Sequence, residues 1–178
     1  MKKIMLFIII VFIASIDIAK AENRLNNADN NLEVIKDSTR LIELDKFWIE
    51  LSRTVREGDF KGYKATYHED AVVIFATGKN KRSISITSAL AGWEKDFVAT
   101  KSGKVKSDVK FRFSQRIGDE TTAHETGIFH YTSTDSQGNE LSNSFIHFEM
   151  LLVKRNGKWY GVMEYQKSKA TKEEWEAL

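Results

Sequence analysis

From residue 37 the apolar positions Leu41, Leu44, Trp48, Leu51 and Val55 recur at spacings of three and four. That period predicts an amphipathic helix with Asp37 or Ser38 as its N-cap and Gly58 as its stop. Asp59 offers a cap for a second short helix, on which Phe60, Tyr63 and Tyr67 would share one face. The run AVVIFATG, ending at Gly78, is β-branched and aromatic and reads as a first strand, with Arg82 to Ile86 pairing back on it. Ile86, Leu90, Trp93 and Phe97 then return to helical spacing and predict a third helix that ends before Ser102-Gly103.

After Lys104 the period becomes two. Val109, Phe111, Phe113 and Ile117 fall on one side of a strand, and Lys110, Arg112, Ser114 and Arg116 on the other, so one face is expected dry and one wet. Gly118-Asp119 turns the chain. The next strand, about Thr121 to Thr134, alternates Ala123, Glu125, Gly127, Phe129 and Tyr131 with His124, Thr126, Ile128 and His130, and both faces are mixed. In the strand from Ser144, the positions Ile146, Phe148, Met150 and Leu152 make a wholly apolar face. Asn156-Gly157 joins it to a last strand, KWYGVMEYQ, as a tight hairpin. Helices followed by a long antiparallel meander predict an α+β domain in which helices cover one face of a curved sheet.

The first residues stand apart. Lys2 and Lys3 precede an apolar run of about 13 residues, Asp17 interrupts it, and Ala19-Lys20-Ala21 closes it with small residues. The run suits a signal h-region and is short of the roughly 20 residues that span a membrane, which predicts a secretory signal over 1–21 cut after Ala21. Residues 22–36 hold five Asn and little apolar periodicity, so they are expected to be a dispensable flexible linker, with the domain occupying 37–178. A periplasmic or secreted protein follows, with no membrane attachment after cleavage. Removing residues 1–21 takes three lysines and one aspartate, leaving 24 basic against 24 acidic residues. A neutral chain lacks the electrostatic footprint that phosphate neutralisation needs, so no nucleic-acid partner is expected. The lysines from Lys101 to Lys110 read as a solvated strand edge that deters pairing.

Zero cysteines exclude a disulfide framework, a thiolate nucleophile and a cysteine zinc site. No GxSxG elbow, Walker loop, GxGxxG fingerprint or HExxH pair occurs, and no cofactor is expected. His124 and His130 share a strand face but lie roughly 20 Å apart by the strand rise, too far for one metal ion. Adjacent residues of His68-Glu69-Asp70 point to opposite faces, so they do not converge either, and Asp70 is read as holding the helix-to-strand turn.

EGDF (Glu57 to Phe60), YHEDAVV (Tyr67 to Val73), the helix bearing Trp93 and the ending KRNGKWYGVMEYQKS (Lys154 to Ser168) fall in an order that resembles the nuclear-transport-factor-2-like superfamily, and within it the SnoaL-like small secreted domains. The resemblance covers about residues 38–168. It implies a cone-shaped sheet wrapped around the N-terminal helices, with an apolar pocket at the open end. It also implies that Glu164 is an acidic pocket residue and that His124 faces inward, although alternation alone leaves that face open.

A carboxylate inside an apolar cone would have its pKa raised toward neutrality and serve as general acid or base. Glu164 and His124 are therefore the candidate catalytic groups, and Tyr63, Tyr67, Trp93, Thr126, His130 and Gln166 the candidate binding residues. Aromatics at helical spacing also pack as plain core. Three functions stay open: a pocket for a small apolar or amphipathic molecule, a cofactor-independent isomerase or lyase, and a homodimerisation module using Phe145, His147 and Glu149 on the outer sheet face.

Overall fold

The computed structural model describes Val34 and residues 36–178. The expected signal segment, its cut after Ala21 and all of the expected linker except Val34 and Lys36 lie outside the described residues. The chain divides into two units, residues 1–39 and 40–178. In the first, Val34 and residues 36–39 are helical, and the Ser38 hydroxyl donates to the Val34 carbonyl at 2.8 Å. Asp37 and Ser38 are thus inside helical turns rather than at the expected cap, because the serine oxygen is engaged one turn back.

In the second unit residues 40–57 form α1, with Leu44, Trp48 and Leu51 buried as the spacing predicts, Leu41 and Val55 half-buried, and Phe47 buried beside them. Asp59 caps α2 (Phe60–Lys64), its carboxylate accepting from the Gly62 amide at 2.9 Å. Tyr67 is not on that helix: it opens β1 (Tyr67–Phe75), which takes in His68, Glu69 and Asp70 and is irregular between Tyr67 and Val72. β2 (Arg82–Ser85) pairs back on β1. Ser85 caps α3 (Ile86–Lys101), which buries Ile86, Leu90 and Phe97 as expected.

β3 (Val105–Gly118), β4 (Thr122–Asp135), β5 (Glu140–Arg155) and β6 (Lys158–Lys169) form the antiparallel meander. The sheet order is β2-β1-β6-β5-β4-β3, and β1 runs parallel to β6, so one pairing departs from the antiparallel expectation. Asn156 and Gly157 both have positive φ, 51° and 74°, the conformation a tight hairpin with right-handed strand twist requires. β3 is the outer strand of the sheet, and Lys106 and Lys110 are exposed along it. These lysines block further pairing.

A bulge between Phe113 and Gln115 corrects the alternation read for β3. Beyond it the parity flips: Arg116 lies opposite Glu125 on the inner face, while Ile117 lies opposite His124 and is 49% exposed. Gly127 stands across from the bulge, where an added Cβ would sit 1.9 Å from the Arg112 carbonyl oxygen. Only glycine allows so close an approach.

The inner face of the sheet carries Val109, Phe111, Ala123, Phe148, Met150 and Leu152, packed against α1 and α3. The outer face is partly covered by a short helix, α4 (Lys172–Glu176), closed by a reciprocal Thr171/Glu174 capping box. Trp175 from α4 is buried against a stacked His130–Phe145 pair, whose rings are 4.0 Å apart, and under the Arg112 guanidinium. His147 lies 3.4 Å from Glu174. Phe145 and His147, expected to face a second copy, are therefore engaged by the chain's own C-terminal helix.

Candidate functional site

The helices leave part of the inner face uncovered, and a cavity of about 390 Å³ opens there. Its wall is aromatic: Trp48 from α1, Tyr63 from α2, Trp93 and Phe97 from α3, and Phe111, Phe129 and Phe148 from the sheet. Tyr63 packs on Phe97 and Trp93 with ring centroids 4.8 and 5.9 Å away. Such offset and edge-on contacts hold the rings in fixed orientations.

Two polar groups interrupt the wall. In the first, Glu164 is buried, and its Oε2 accepts from the Tyr67 hydroxyl at 2.5 Å. Its Oε1 accepts from Gln166 Nε2 at 2.8 Å. The Tyr67 proton is thus committed to the carboxylate, so Tyr63 donates to Tyr67 across 3.2 Å. Burial raises the Glu164 pKa, and the bonds from Tyr67 and Gln166 only partly oppose it. Burial also pushes both phenols well above their usual range, with the Glu164 charge adding to the effect.

The second group lies between α3 and the far strands. Thr100 donates to the Asp96 carbonyl at 2.9 Å, Ser107 meets Thr100 at 3.0 Å, and Tyr131 donates to Ser107 at 3.3 Å. Asp96, Thr100, Ser107, Ser144 and Tyr131 all line the cavity. Sequence reasoning missed this group, because small hydroxyl residues on two elements carry no pattern until the fold joins them.

Of the residues expected in the site, Glu164, Gln166, Tyr63, Tyr67 and Trp93 line the cavity. His124, Thr126 and His130 do not, and the inward placement implied for His124 is corrected. On β4 the inner set is Ala123, Glu125, Gly127, Phe129 and Tyr131, so strict alternation sends the two histidines and Thr126 outward. His124 Nε2 lies 3.1 Å from Glu149, His130 Nε2 lies 2.8 Å from the Asn143 amide oxygen, and Thr126 meets Ser114 at 3.2 Å. Lys167, and after it His124, holds the Glu149 pKa below its ordinary value against the effect of burial.

Glu125, in sequence only one position of the mixed alternation of β4, has a larger part. It is fully buried, accepts from the Trp48 indole at 2.5 Å, and takes Arg116 on both oxygens at 2.8 and 3.1 Å. Arg116 also reaches Asp45 at 2.6 Å and covers the Phe113 ring at 4.4 Å. The bidentate pair fixes the indole plane of Trp48, and Trp48 is cavity wall. A similar tie binds Glu43 to Lys154, at 2.7 Å on Oε1, and to the Trp159 indole at 2.9 Å.

A curved sheet closed on one side by helices, with a polar group set deep in an aromatic cavity, defines a nuclear-transport-factor-2-like α+β cone. The chain belongs to the calcium/calmodulin dependent protein kinase II association domain family, whose pattern matches residues 40–171. Solved structures share the fold. An NTF-2-like protein of unknown function from Shewanella oneidensis MR-1 is 15% identical with a TM-score of 0.55, over 72% of this chain and 98% of that one. A ketosteroid isomerase-like protein from Erwinia carotovora atroseptica SCRI1043 is 18% identical with a TM-score of 0.53, over 74% and 97%. A protein with a cystatin-like fold from Caulobacter vibrioides is 9% identical with a TM-score of 0.54, over 76% and 92%. No curated protein matches the chain.

Proposed function

We propose that this domain binds a small amphipathic molecule in the aromatic cavity, its polar end meeting Glu164, Tyr67 and Gln166. The observation that carries the reading is the pairing of a buried carboxylate with an open apolar space of about 390 Å³, within the range of small-molecule sites. A core with no ligand role would fill that space with side chains, since a void of this size is destabilising. Thermal shift of the purified protein against a panel of hydrophobic metabolites tests it. Stabilisation by at least one compound, lost when Ser144→Trp fills the cavity, is expected, and a panel without any shift contradicts it.

The same carboxylate supports a second reading, proton transfer by a cofactor-independent isomerase or lyase. Its basis is that Glu164 is buried with a raised pKa and a phenol at 2.5 Å, an arrangement in which the carboxylate takes the carbon proton and the phenol donates to the substrate oxygen where charge develops. Deuterium entering a bound carbon acid from heavy water, and no longer entering it in Glu164→Gln, is the expected signature; exchange that is unchanged in the variant contradicts it.

Export through the N-terminal signal belongs to the same proposal, as does self-association. The family is an association domain, and a row of Ile117, His124, Leu151 and Met163 crosses the outer face beyond α4. Ile117 and Leu151 are 49% and 39% exposed there, which suits a homodimer contact. Light scattering that reports only monomer at high concentration removes this part.

A further inference from the structure

The buried acids of this domain follow a rule that one of them breaks. Glu125 is matched by Arg116, and the partly buried Glu43 by Lys154. Glu164 is buried too, yet its oxygens meet only the neutral donors Tyr67 and Gln166. Among the described residues no lysine, arginine or histidine lines its cavity, whereas a second acid, Asp96, does. A carboxylate out of water without a counter-charge is costly, and the charge it lacks is one that a ligand can bring.

The surroundings favour the same sign. Tyr67 donates to Glu164, Tyr63 lies 5.5 and 5.9 Å from the Tyr67 and Trp93 rings, and all three aromatics line the same cavity as the carboxylate. Ring faces carry negative potential and attract an ammonium group. An anion entering here would meet two carboxyls, ring faces and no base. The far wall, with Ser107, Thr100 and Tyr131, offers neutral hydroxyls.

We propose that the cavity selects an organic cation, a protonated amine on an aromatic or aliphatic body, with the ammonium held by Glu164 and the faces of Tyr67 and Trp93. The body then lies along Phe111, Phe129 and Phe148. This inference rests on the reading of the cavity as a ligand site and adds the charge of its occupant.

Calorimetry with three probes of one shape tests it: 2-phenylethylamine, 2-phenylethanol and 3-phenylpropionate. The amine is expected to bind about tenfold tighter than the alcohol, the margin of roughly one desolvated cation–π and ionic contact. The carboxylate is expected to give no heat at the same concentration. Glu164→Gln, which keeps the shape, is expected to weaken the amine about tenfold more than the alcohol and so remove its advantage. A second readout needs no variant. The groups that face a bound ammonium are the carboxyls of Glu164 and Asp96 and the phenols of Tyr63, Tyr67 and Tyr131, and protonating Glu164 removes the charge that pairs with the amine. The amine's advantage is therefore expected to shrink as pH falls. If the alcohol or the carboxylate binds as tightly as the amine, or the advantage persists in Glu164→Gln or at low pH, the cation inference falls and the ligand-site reading stands. If no probe binds at millimolar concentration, both fall.

Discussion

Replacing Glu125 by Ala removes an acceptor that three donor atoms share at the centre of the fold. The Trp48 indole, on a residue 5% exposed, would keep its N–H away from water with no partner. That term alone is worth about 1–3 kcal/mol. Arg116 would keep Asp45 at 2.6 Å and is 20% exposed, so water can reach part of the guanidinium and the loss falls short of that for a fully buried charge. Breaking a buried pair by removing one partner costs about 3–5 kcal/mol, and this site belongs at the low end, near 3–4. Glu125→Gln keeps one acceptor oxygen and is expected to cost about 1–2 kcal/mol. Replacing Glu125 and Arg116 together by Leu is expected to cost less than Glu125→Ala, since no buried uncompensated charge remains and Asp45, which loses Arg116, is 55% exposed. Urea unfolding followed by tryptophan fluorescence and circular dichroism measures all three. A Glu125→Ala cost under about 1 kcal/mol would refute the assignment of Glu125 as the group that fixes Trp48.

Burial raises the Glu164 pKa above its ordinary 4.5, so below that pH the carboxyl is protonated folded and unfolded and its stabilising effect is complete. As pH rises past it the unfolded chain releases its proton first, and stability falls until the folded carboxyl titrates. Melting curves across this range are expected to decline for the wild type and to be flatter for Glu164→Gln; equal slopes contradict the reading. Trp175→Ala is expected to cost about 3 kcal/mol, because the ring is 9% exposed and anchors α4 against His130 and Phe145. A chemical denaturation midpoint that does not move would contradict that docking. For the N-terminus, sequencing of the exported protein is expected to begin at Glu22, and an intact Met1 terminus would refute cleavage.

Period carried much of the fold. The stripes of α1 and α3, the apolar face of β5 and the Asn156-Gly157 turn all follow from local spacing, with Leu41, Val55 and Trp93 half-buried at the margins of their stripes. Where the period slips, the sequence is silent: the bulge before Gln115 inverts Arg116 and Ile117, and nothing local announces it except Gly127 on a different strand. β4 has polar groups on both faces, so its parity was open, and the family resemblance directed attention to His124 while Glu125 was the buried residue. α4 has a signal of a different kind, Thr171 with Glu174 three residues on, a capping pair that apolar period does not register. Glu164 was legible through family resemblance, and its partners Tyr67 and Gln166 only as neighbours on their own elements. The Ser107, Thr100 and Tyr131 group depends on contacts between α3, β3 and β4, which no single stretch of sequence contains.

The four tryptophans give the most direct test that the cavity is a ligand site. Trp48 and Trp93 are in its wall, while Trp159 and Trp175 lie outside it, beside Glu43 and on the outer sheet face. In a nitrogen-15 correlation spectrum each indole N–H is a separate reporter. Titration with 2-phenylethylamine is expected to shift the Trp48 and Trp93 signals along one saturable curve and to leave those of Trp159 and Trp175 in place. Shifts confined to Trp159 or Trp175, or no shift in any of the four, would contradict the account.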